Sequence, residues 1–225
     1  KYEVWAEDGT PILYVERPTY PIRTLVAYLV AIVTTLLLTG WAGAPLAREG
    51  NEGLLLLVFP LAAFVFLAVS MSLRPLRHVT IYRDESRREP LLRVLQDQRV
   101  AFLTRTYTIV TAAREPLARL RKTYLHNVIR KRWYVVSPVG APLAMAIEDS
   151  MVLSLLRRLL GPFFGFLRTN FVFVRGQDDE VFGEFNRKFT LLDRYVLDLS
   201  ADAERTFDRR VGLALGVMLD TGERR

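Results

Sequence analysis

The residues of this chain best suited to chemistry are cations placed beside aromatic rings. Arg130, Lys131 and Arg132 directly precede Trp133 and Tyr134. Cationic side chains attract phosphate, and amphipathic aromatic rings suit the level of lipid head groups at a membrane surface. The pattern therefore indicates a lipid head-group site. The alternative is a basic strand end followed by ordinary core aromatics.

Two further pairs of cations are candidates for the same role. Arg74 and Arg77 follow a long apolar segment, and Arg157 and Arg158 lie in a predicted helix, Ser150–Gly161. A helix rich in Leu and Met can enter one leaflet while its arginines reach phosphate groups. The alternative is that this helix caps an open end of a strand-built barrel.

Five hydroxyl side chains lie within apolar segments that are otherwise uncharged. The first segment holds Thr34, Thr35 and Thr39, and the second holds Ser70 and Ser72. One hypothesis is that they line a polar track along which a lipid head group slides. The other is that they bond to carbonyls of their own helix or hold two helices together, which is the usual role of hydroxyls in such segments.

The sequence offers little for catalysis. It has no cysteine, its histidines His78 and His126 are isolated, and it lacks a glycine-rich phosphate loop, a Gly-x-Ser-x-Gly elbow and a His-Glu-x-x-His motif. The acids Asp178–Glu180 are typical of a solvated turn rather than a cation site. We therefore expect no enzymatic activity, no metal site and no cofactor.

The charge balance points to an anionic partner. The chain has 31 Lys and Arg against 24 Asp and Glu, a net charge of +7. A basic domain at a membrane surface is attracted to anionic lipid, while nucleic acid is the other partner that such a balance suggests. Because the chain also has the membrane segments described next, we expect phospholipid and no nucleic acid.

Two uncharged apolar segments, Thr24–Ala47 and Gly53–Leu73, are the strongest signal in the sequence. With about 1.5 Å of rise per helical residue, their 24 and 21 residues each reach the roughly 30 Å thickness of a bilayer core. They predict an integral membrane protein with a transmembrane helical hairpin. The alternative is a pair of helices buried in a soluble protein, which rarely go so long without a charged face.

The basic residues beside these segments predict their orientation. Cations in short flanks stay in the cytoplasm. Both outer flanks are richer in arginine than the connecting loop, so both termini are expected to be cytoplasmic. The outer flanks hold Arg17, Arg23, Arg74, Arg77 and Arg83, and the loop holds Arg48.

Outside the apolar segments, short runs of alternating residues predict β-strands. A hairpin is expected within Tyr2–Arg17 at the N-terminus, with its turn at Asp8-Gly9. Many short strands at this spacing favour a sandwich or barrel. The other predicted strands are Val79–Tyr82, Leu92–Gln96, Val100–Leu103, Tyr107–Ala112, Leu117–Lys122, Trp133–Ser137, Leu143–Glu148, Arg168–Val174, Glu180–Arg187 and Arg194–Leu199.

A further helix is predicted near the C-terminus, over Ala203–Asp220. Its stretch Val211–Leu219 is apolar on every side, as expected for a helix surrounded by protein, and is too short to cross a bilayer. Gly212 and Gly216 would let neighbouring strands approach the helix backbone closely.

The chain outside the apolar segments, over Lys1–Pro18 and Val79–Arg225, resembles the tubby-like C-terminal superfamily, which includes phospholipid scramblases and LURP-one-related proteins. The resemblance is carried by Phe182–Phe189, Tyr195–Ser200 and Asp208–Asp220. It implies a closed antiparallel barrel of twelve strands around a central hydrophobic C-terminal helix. The membrane hairpin would then be an insertion after the first pair of strands.

The resemblance also implies a division of the chain. Residues 1–20 would form the first strand hairpin of the barrel, 21–76 the membrane hairpin with spans at 24–47 and 53–73, and 77–225 the remainder of the barrel with its central helix at 203–220. The chain departs from scramblases in lacking a cysteine run and a proline-rich N-terminus. Its acids Asp193, Asp198 and Asp202 are spread out, so calcium dependence is not implied.

Two functions follow as hypotheses. The first is a non-enzymatic, membrane-anchored scramblase-like or lipid-binding protein that acts at the cytoplasmic leaflet on membrane phospholipids. The second is an accessory or scaffold subunit of a larger integral-membrane protein complex, because small side chains on the spans suit close helix contacts. Those small residues are Ala27, Ala31, Thr34, Thr35, Ala62, Ala63 and Ala68.

Overall fold

The structure is a computed structural model that describes residues 2–50, 52–101, 103–124, 131–148, 170–175, 180–188 and 194–223. The chain divides into two compact units. One unit comprises Lys1–Arg17, His78–Asp97 and Ala101–Arg225, and the other comprises Pro18–Arg77 with Gln98–Val100.

The smaller unit is a pair of long helices. Helix α1 is Pro21–Arg48 and helix α2 is Glu52–Leu73, so the two predicted apolar segments are confirmed as helices. Helix α1 begins with a proline. The first N–H groups of a helix have no intrahelical acceptor, so the N–H that proline lacks costs no hydrogen bond there. The helices contact each other through the buried Ala27 and Ala31 and through the rings of Tyr28 and Phe66, whose centroids lie 6.3 Å apart.

The larger unit is a single antiparallel sheet of eleven strands among the described residues. Each strand pairs with the next along the chain, so the strand order in space is the order in sequence. The strands are β1 (Tyr2–Trp5), β2 (Pro11–Glu16), β3 (Val79–Tyr82), β4 (Pro90–Gln96), β5 (Thr104–Thr111), β6 (Pro116–Thr123), β7 (Arg132–Val136), β8 (Pro142–Glu148), β9 (Phe171–Arg175), β10 (Glu180–Lys188) and β11 (Arg194–Asp198).

The first strand hairpin is confirmed, together with its turn. Gly9 has a φ of +83°, a conformation that glycine adopts without strain. The Asp8 carboxylate accepts the backbone N–H of Thr10 at 2.9 Å, which fixes the turn.

One predicted strand is wrong. Of Val100–Leu103, the described residues Val100, Ala101 and Leu103 lie outside any strand, in the connection between β4 and β5. Apolar character alone suggested a strand there. The neighbouring strands offer this run no free edge, because β4 pairs with β3 and β5, and β5 pairs with β4 and β6.

The core lies on one face of the sheet. Strand β6 shows the alternation that creates it, since Ala118 and Leu120 are buried while Arg119 and Arg121 are exposed. Trp133 and Phe173 are among the largest fully buried side chains and belong to the same core cluster. Burial of large apolar side chains is the main term that stabilises such a face.

The C-terminal helix α3 is Arg209–Glu223 and packs into this core. Val211, Leu215 and Leu219 are buried, which confirms the predicted helix surrounded by protein. Gly216 confirms the expected close approach, since a Cβ there would lie 3.2 Å from the Phe185 ring and 3.8 Å from the Leu197 side chain.

The predicted start of this helix, at Ala203, is wrong. The backbone N–H groups of Thr206 and Phe207 donate to the Asp202 carboxylate, which holds the residues before the helix in a loop. Asp208 then caps the helix, because its carboxylate accepts the backbone N–H of Arg210 at 2.8 Å.

The mainly β fold is confirmed, with three helices among the described residues. In that part of the chain β1 pairs with β2 alone and β11 with β10 alone, so ladder hydrogen bonds do not close the sheet. The closed barrel therefore stays a prediction. The predicted helix Ser150–Gly161 lies outside the described residues.

Candidate functional site

The candidate site is a group of arginines on the face of the sheet opposite the core. Inward-facing Trp133 and Val135 alternate with Arg132 and Tyr134 along β7, as Leu120 does with its neighbours along β6. The outward set on β5, β6 and β7 is called the outer arginine face. It consists of Arg119, Arg121, Arg132 and Tyr134, with the threonines Thr104, Thr106 and Thr108 beside them.

The strand register brings these side chains together. Arg121 lies directly opposite Tyr134 on β7 and Thr106 on β5. Its guanidinium carbon is 5.3 Å from the centroid of the Tyr134 ring, within the range of a cation–π contact. Arg119 faces Thr108 in the same register. Opposed residues on adjacent strands have Cβ atoms about 5 Å apart, so the group is continuous.

Acidic side chains do not neutralise the two exposed arginines. Among the described residues, neither Arg119 nor Arg121 forms an ion pair. The Asp97 carboxylate, at the end of β4, accepts the Thr108 hydroxyl at 2.9 Å instead. The outer arginine face thus presents positive charge to its surroundings.

The sequence prediction located part of this face and missed the rest. It included Arg132 but not Arg119 or Arg121. The signal was present, because arginines alternate with Ala118 and Leu120 along the predicted strand Leu117–Lys122, and alternation places the polar set on the solvent face.

Two other residues of the predicted head-group site lie elsewhere. Trp133 is fully buried, and its ring stacks on Tyr107 with centroids 5.8 Å apart, which corresponds to the core-aromatic alternative. The backbone N–H of Lys131 donates to the carboxylate of Glu148, which is itself buried. Arg130, Arg157 and Arg158 lie outside the described residues.

A buried polar cluster occupies the core side of the same strands. Lys122 is only 9% exposed, and its ammonium lies 5.1 Å from the centroid of the Trp133 ring. Arg105 lies opposite Lys122 in the register, and its guanidinium carbon is 5.9 Å from the centroid of the Tyr124 ring. Burial raises the pKa of the Tyr107 phenol, and the nearby Arg105 opposes that shift in part. Stacking on aromatic rings offsets some of the desolvation of these cations.

The polar residues of the helix pair mostly bond within their own helix. Thr39 donates to the carbonyl of Thr35 at 2.8 Å, Ser70 to that of Leu67 at 3.1 Å and Ser72 to that of Ala68 at 2.7 Å. This is the second of the two arrangements considered from the sequence. Thr34 lies half-buried on α1, with no hydrogen bond from its hydroxyl among the described residues.

Thr35 resembles Thr34 in forming no hydrogen bond from its hydroxyl among the described residues, but it differs in that this oxygen is buried. Thr35 lines an open groove of about 290 Å³ between the helices. The other groove residues are Ile32, Leu36, Ala62, Ala63 and Phe66.

Of the two cations after α2, Arg74 contacts α1. Its guanidinium donates to the Tyr28 hydroxyl and lies 5.0 Å from the centroid of that ring. Arg77 follows it in the connection to β3 and is exposed. An arginine beside a tyrosine near a helix end is typical of the level of lipid head groups.

Among the described residues, His, Cys, Asp and Glu side chains do not gather in groups of three or more that could hold a metal ion. Outside the described residues lie Asp178, Asp179 and Asp193. The Asp202 carboxylate is bonded by Arg175 at 3.0 Å and approached by Arg209 at 3.6 Å. Burial alone raises the pKa of Asp202, but the hydrogen bonds from Arg175, Phe207 and Thr206 outweigh it and hold that pKa below its usual value.

Fold and site together define a mainly β protein with a basic outer face and two helices long and apolar enough to cross a membrane. Comparison of the chain with family models, with curated proteins and with solved structures finds no match. The resemblance to the tubby-like superfamily therefore stays a prediction.

Proposed function

We propose that this is a membrane-anchored, non-enzymatic lipid-binding protein of scramblase-like type, held at the cytoplasmic leaflet by the helices α1 and α2. The observation that carries the proposal is the exposure of these helices. Only 11% of the most apolar window of α1 and 6% of that of α2 are buried by protein. A helix pair from a soluble core would be mostly covered.

The exposed side chains are large as well as apolar. Trp41, Phe59 and Leu37 are 81%, 74% and 69% exposed. Each Å² of apolar surface left in water forgoes about 25 cal/mol. A bilayer removes that penalty, and both helices are long enough to span its core.

Orientation follows from the flanking arginines. Arg17 and Arg23 before the helices, with Arg74 and Arg77 after them, outnumber Arg48 in the loop, which supports cytoplasmic termini. The sheet unit then lies on the side of the membrane whose lipids are most anionic.

We also propose that the sheet closes into a tubby-like barrel around α3. What supports closure is the distribution of strands about this helix. Helix α3 contacts β4 and β6 on one part of the sheet. It also meets Phe185 of β10 and Leu197 of β11 near Gly216. Strong local twist from the β-bulges in several strand pairs would assist such curvature.

The test is lipid movement in liposomes that contain the purified full chain. A fluorescent phospholipid is incorporated into both leaflets, and an impermeant reductant bleaches the outer one. Loss of more fluorescence than in protein-free liposomes is expected. The same bleaching with and without protein would overturn the scramblase-like activity, and release of the chain by alkaline carbonate would overturn the anchor.

A second candidate function is an accessory subunit of a larger membrane complex. The observation that favours it is the groove beside Thr35, where Ala62 and Ala63 leave room for another helix. Extraction of native membranes in mild detergent, followed by sizing, distinguishes the two. A partner in fixed stoichiometry supports the subunit, and a chain that migrates alone or with itself supports the lipid function.

A further inference from the structure

We propose that the outer arginine face is the surface with which this protein binds the phosphate groups of anionic phospholipids. The proposal rests on the proposed function, since it requires the chain to be anchored in a membrane. It adds the residues of the sheet unit that bind the lipid and the chemistry by which they do so.

The first argument is the type and state of the cations. Arg119 and Arg121 are exposed, two residues apart on one strand, and form no ion pair among the described residues. The planar guanidinium group donates to phosphate oxygens through two parallel N–H bonds, which an ammonium group cannot do. Stacking on Tyr134 engages the flat face of Arg121 and leaves its N–H edge available to an acceptor.

The second argument is that charge is segregated around the sheet. On β10 and β11, Glu184 lies directly opposite Asp198, and both are exposed. Like charges opposed in this way destabilise a strand pair. This pair forms an acidic region on the outer side of β10 and β11, with the exposed Arg194 on the same face of β11. Arg119 and Arg121 lie opposite threonines of β5 instead, so an anionic surface would attract the outer arginine face more strongly.

The third argument is proximity. Residues 17–20 alone connect β2 to α1, and residues 74–78 alone connect α2 to β3. Short connections keep the local concentration of lipid phosphate high around an anchored domain. Nucleic acid presents similar phosphates, but it has to be bound from solution. The anchor thus favours lipid as the ligand.

The experiment uses single cysteines, which the chain permits because it has none of its own. Thr104→Cys reports on the outer arginine face, and Glu184→Cys on the acidic region serves as the matched strand control. Each full-chain variant is placed in nanodiscs of phosphatidylcholine alone or of equal parts phosphatidylcholine and phosphatidylserine. The measured quantity is the rate of reaction with a water-soluble maleimide.

The expected result is slower labelling of Thr104→Cys in the anionic discs than in the neutral discs, with no such difference for Glu184→Cys. Each arginine removed from the face should weaken the engagement about fivefold. Arg119→Gln with Arg121→Gln should therefore restore most of the labelling rate. Arg88→Gln with Arg205→Gln removes the same charge from two exposed turns and should leave the protection in place.

Four results would overturn the proposal. If Thr104→Cys is labelled equally in both kinds of disc, in protein that co-migrates with the discs, the face does not bind anionic lipid, while the anchoring of the chain is unaffected. Protection of Glu184→Cys to the same degree would show that anionic lipid slows labelling everywhere. Protection in neutral discs by added single-stranded DNA would assign the face to nucleic acid. Failure to co-migrate with discs would overturn the anchor and the face together.

Discussion

Arg17 donates through Nη1 to the backbone carbonyl of Thr221, so the end of the first strand hairpin binds the last turn of the C-terminal helix across 204 positions of sequence. The last carbonyls of a helix lack intrahelical donors and carry the negative end of its dipole. A guanidinium at that place satisfies one carbonyl and opposes the dipole. The contact makes the N-terminal strands part of the same folding unit as α3.

Replacing Arg17 should therefore destabilise the sheet unit. Arg17→Met is expected to lower the free energy of unfolding by about 1–2 kcal/mol, because it removes a charge-assisted hydrogen bond at a helix C-terminus. The measurement is chemical denaturation of the full chain in detergent, followed by circular dichroism. Arg88→Met, in the exposed β3–β4 turn, removes the same charge and should change stability little. Equal losses in both variants would contradict the role of the contact.

Gly183 on β10 should be intolerant of any side chain. A Cβ at this position would lie 2.5 Å from the Leu199 side chain and 2.8 Å from the carbonyl oxygen of Asp198. The carbonyl belongs to the last backbone residue of β11 and cannot move away easily. We expect Gly183→Ala to cost about 1–3 kcal/mol of stability.

The matched control for this change is Gly40→Ala on α1, where nothing lies within 4 Å of the added Cβ. Alanine is the better helix former, so this variant should be neutral or more stable by up to about 1 kcal/mol. Thermal unfolding of both variants in the same detergent gives the comparison. A neutral Gly183→Ala would show that β10 and the following loop are less closely packed than described.

Asp202 should make the fold sensitive to acid. Its pKa is lowered in the folded state, so its contribution to stability is complete above its unfolded pKa, near 3.8, and is lost as the pH falls below that value. Asp202→Asn should remove this part of the pH dependence. The melting temperature of the variant should therefore fall less steeply than that of the parent chain as the pH is lowered through 3.8.

The control for Asp202→Asn is Glu204→Gln, an exposed carboxylate two residues away with no ion pair among the described residues. It should leave the acid limb of the profile unchanged. Parallel profiles for Asp202→Asn and the parent chain would mean that Arg175 and Arg209 do not hold the carboxylate in solution as they do in the structure.

The strands were predictable because their cause is local. Alternation predicts strands over Leu117–Lys122 and Leu143–Glu148. In the structure, β6 is one residue longer at both ends, and β8 begins one residue earlier and ends at the predicted residue. The same alternation separates Arg119 from Leu120. This alternation would also place Lys122 on the core face, although a charged side chain is normally excluded from a core. The ring of Trp133 on the next strand explains this placement, because the Lys122 ammonium lies over it.

The errors have causes that are distant in the sequence. The loop before α3 exists because Asp202 binds backbone N–H groups while Arg175, from β9, holds its carboxylate. A local pattern cannot show a partner 27 residues away. A local pattern is even less able to predict the Arg17–Thr221 contact, because that contact depends on how the whole sheet surrounds α3.

Thr35 provides a test of whether the hydroxyls of the helix pair serve lipid transfer or only structure. Its buried Oγ1 has no partner among the described residues, so Thr35→Val removes an uncompensated polar group at nearly constant volume. Stability in detergent should stay the same or rise by about 1 kcal/mol. If a moving head group uses this hydroxyl, lipid transfer in liposomes should slow without any loss of stability.

Thr39→Val is the control, because that hydroxyl is already bonded to the Thr35 carbonyl. Unchanged transfer in Thr35→Val would leave the groove as a packing surface and favour the accessory subunit.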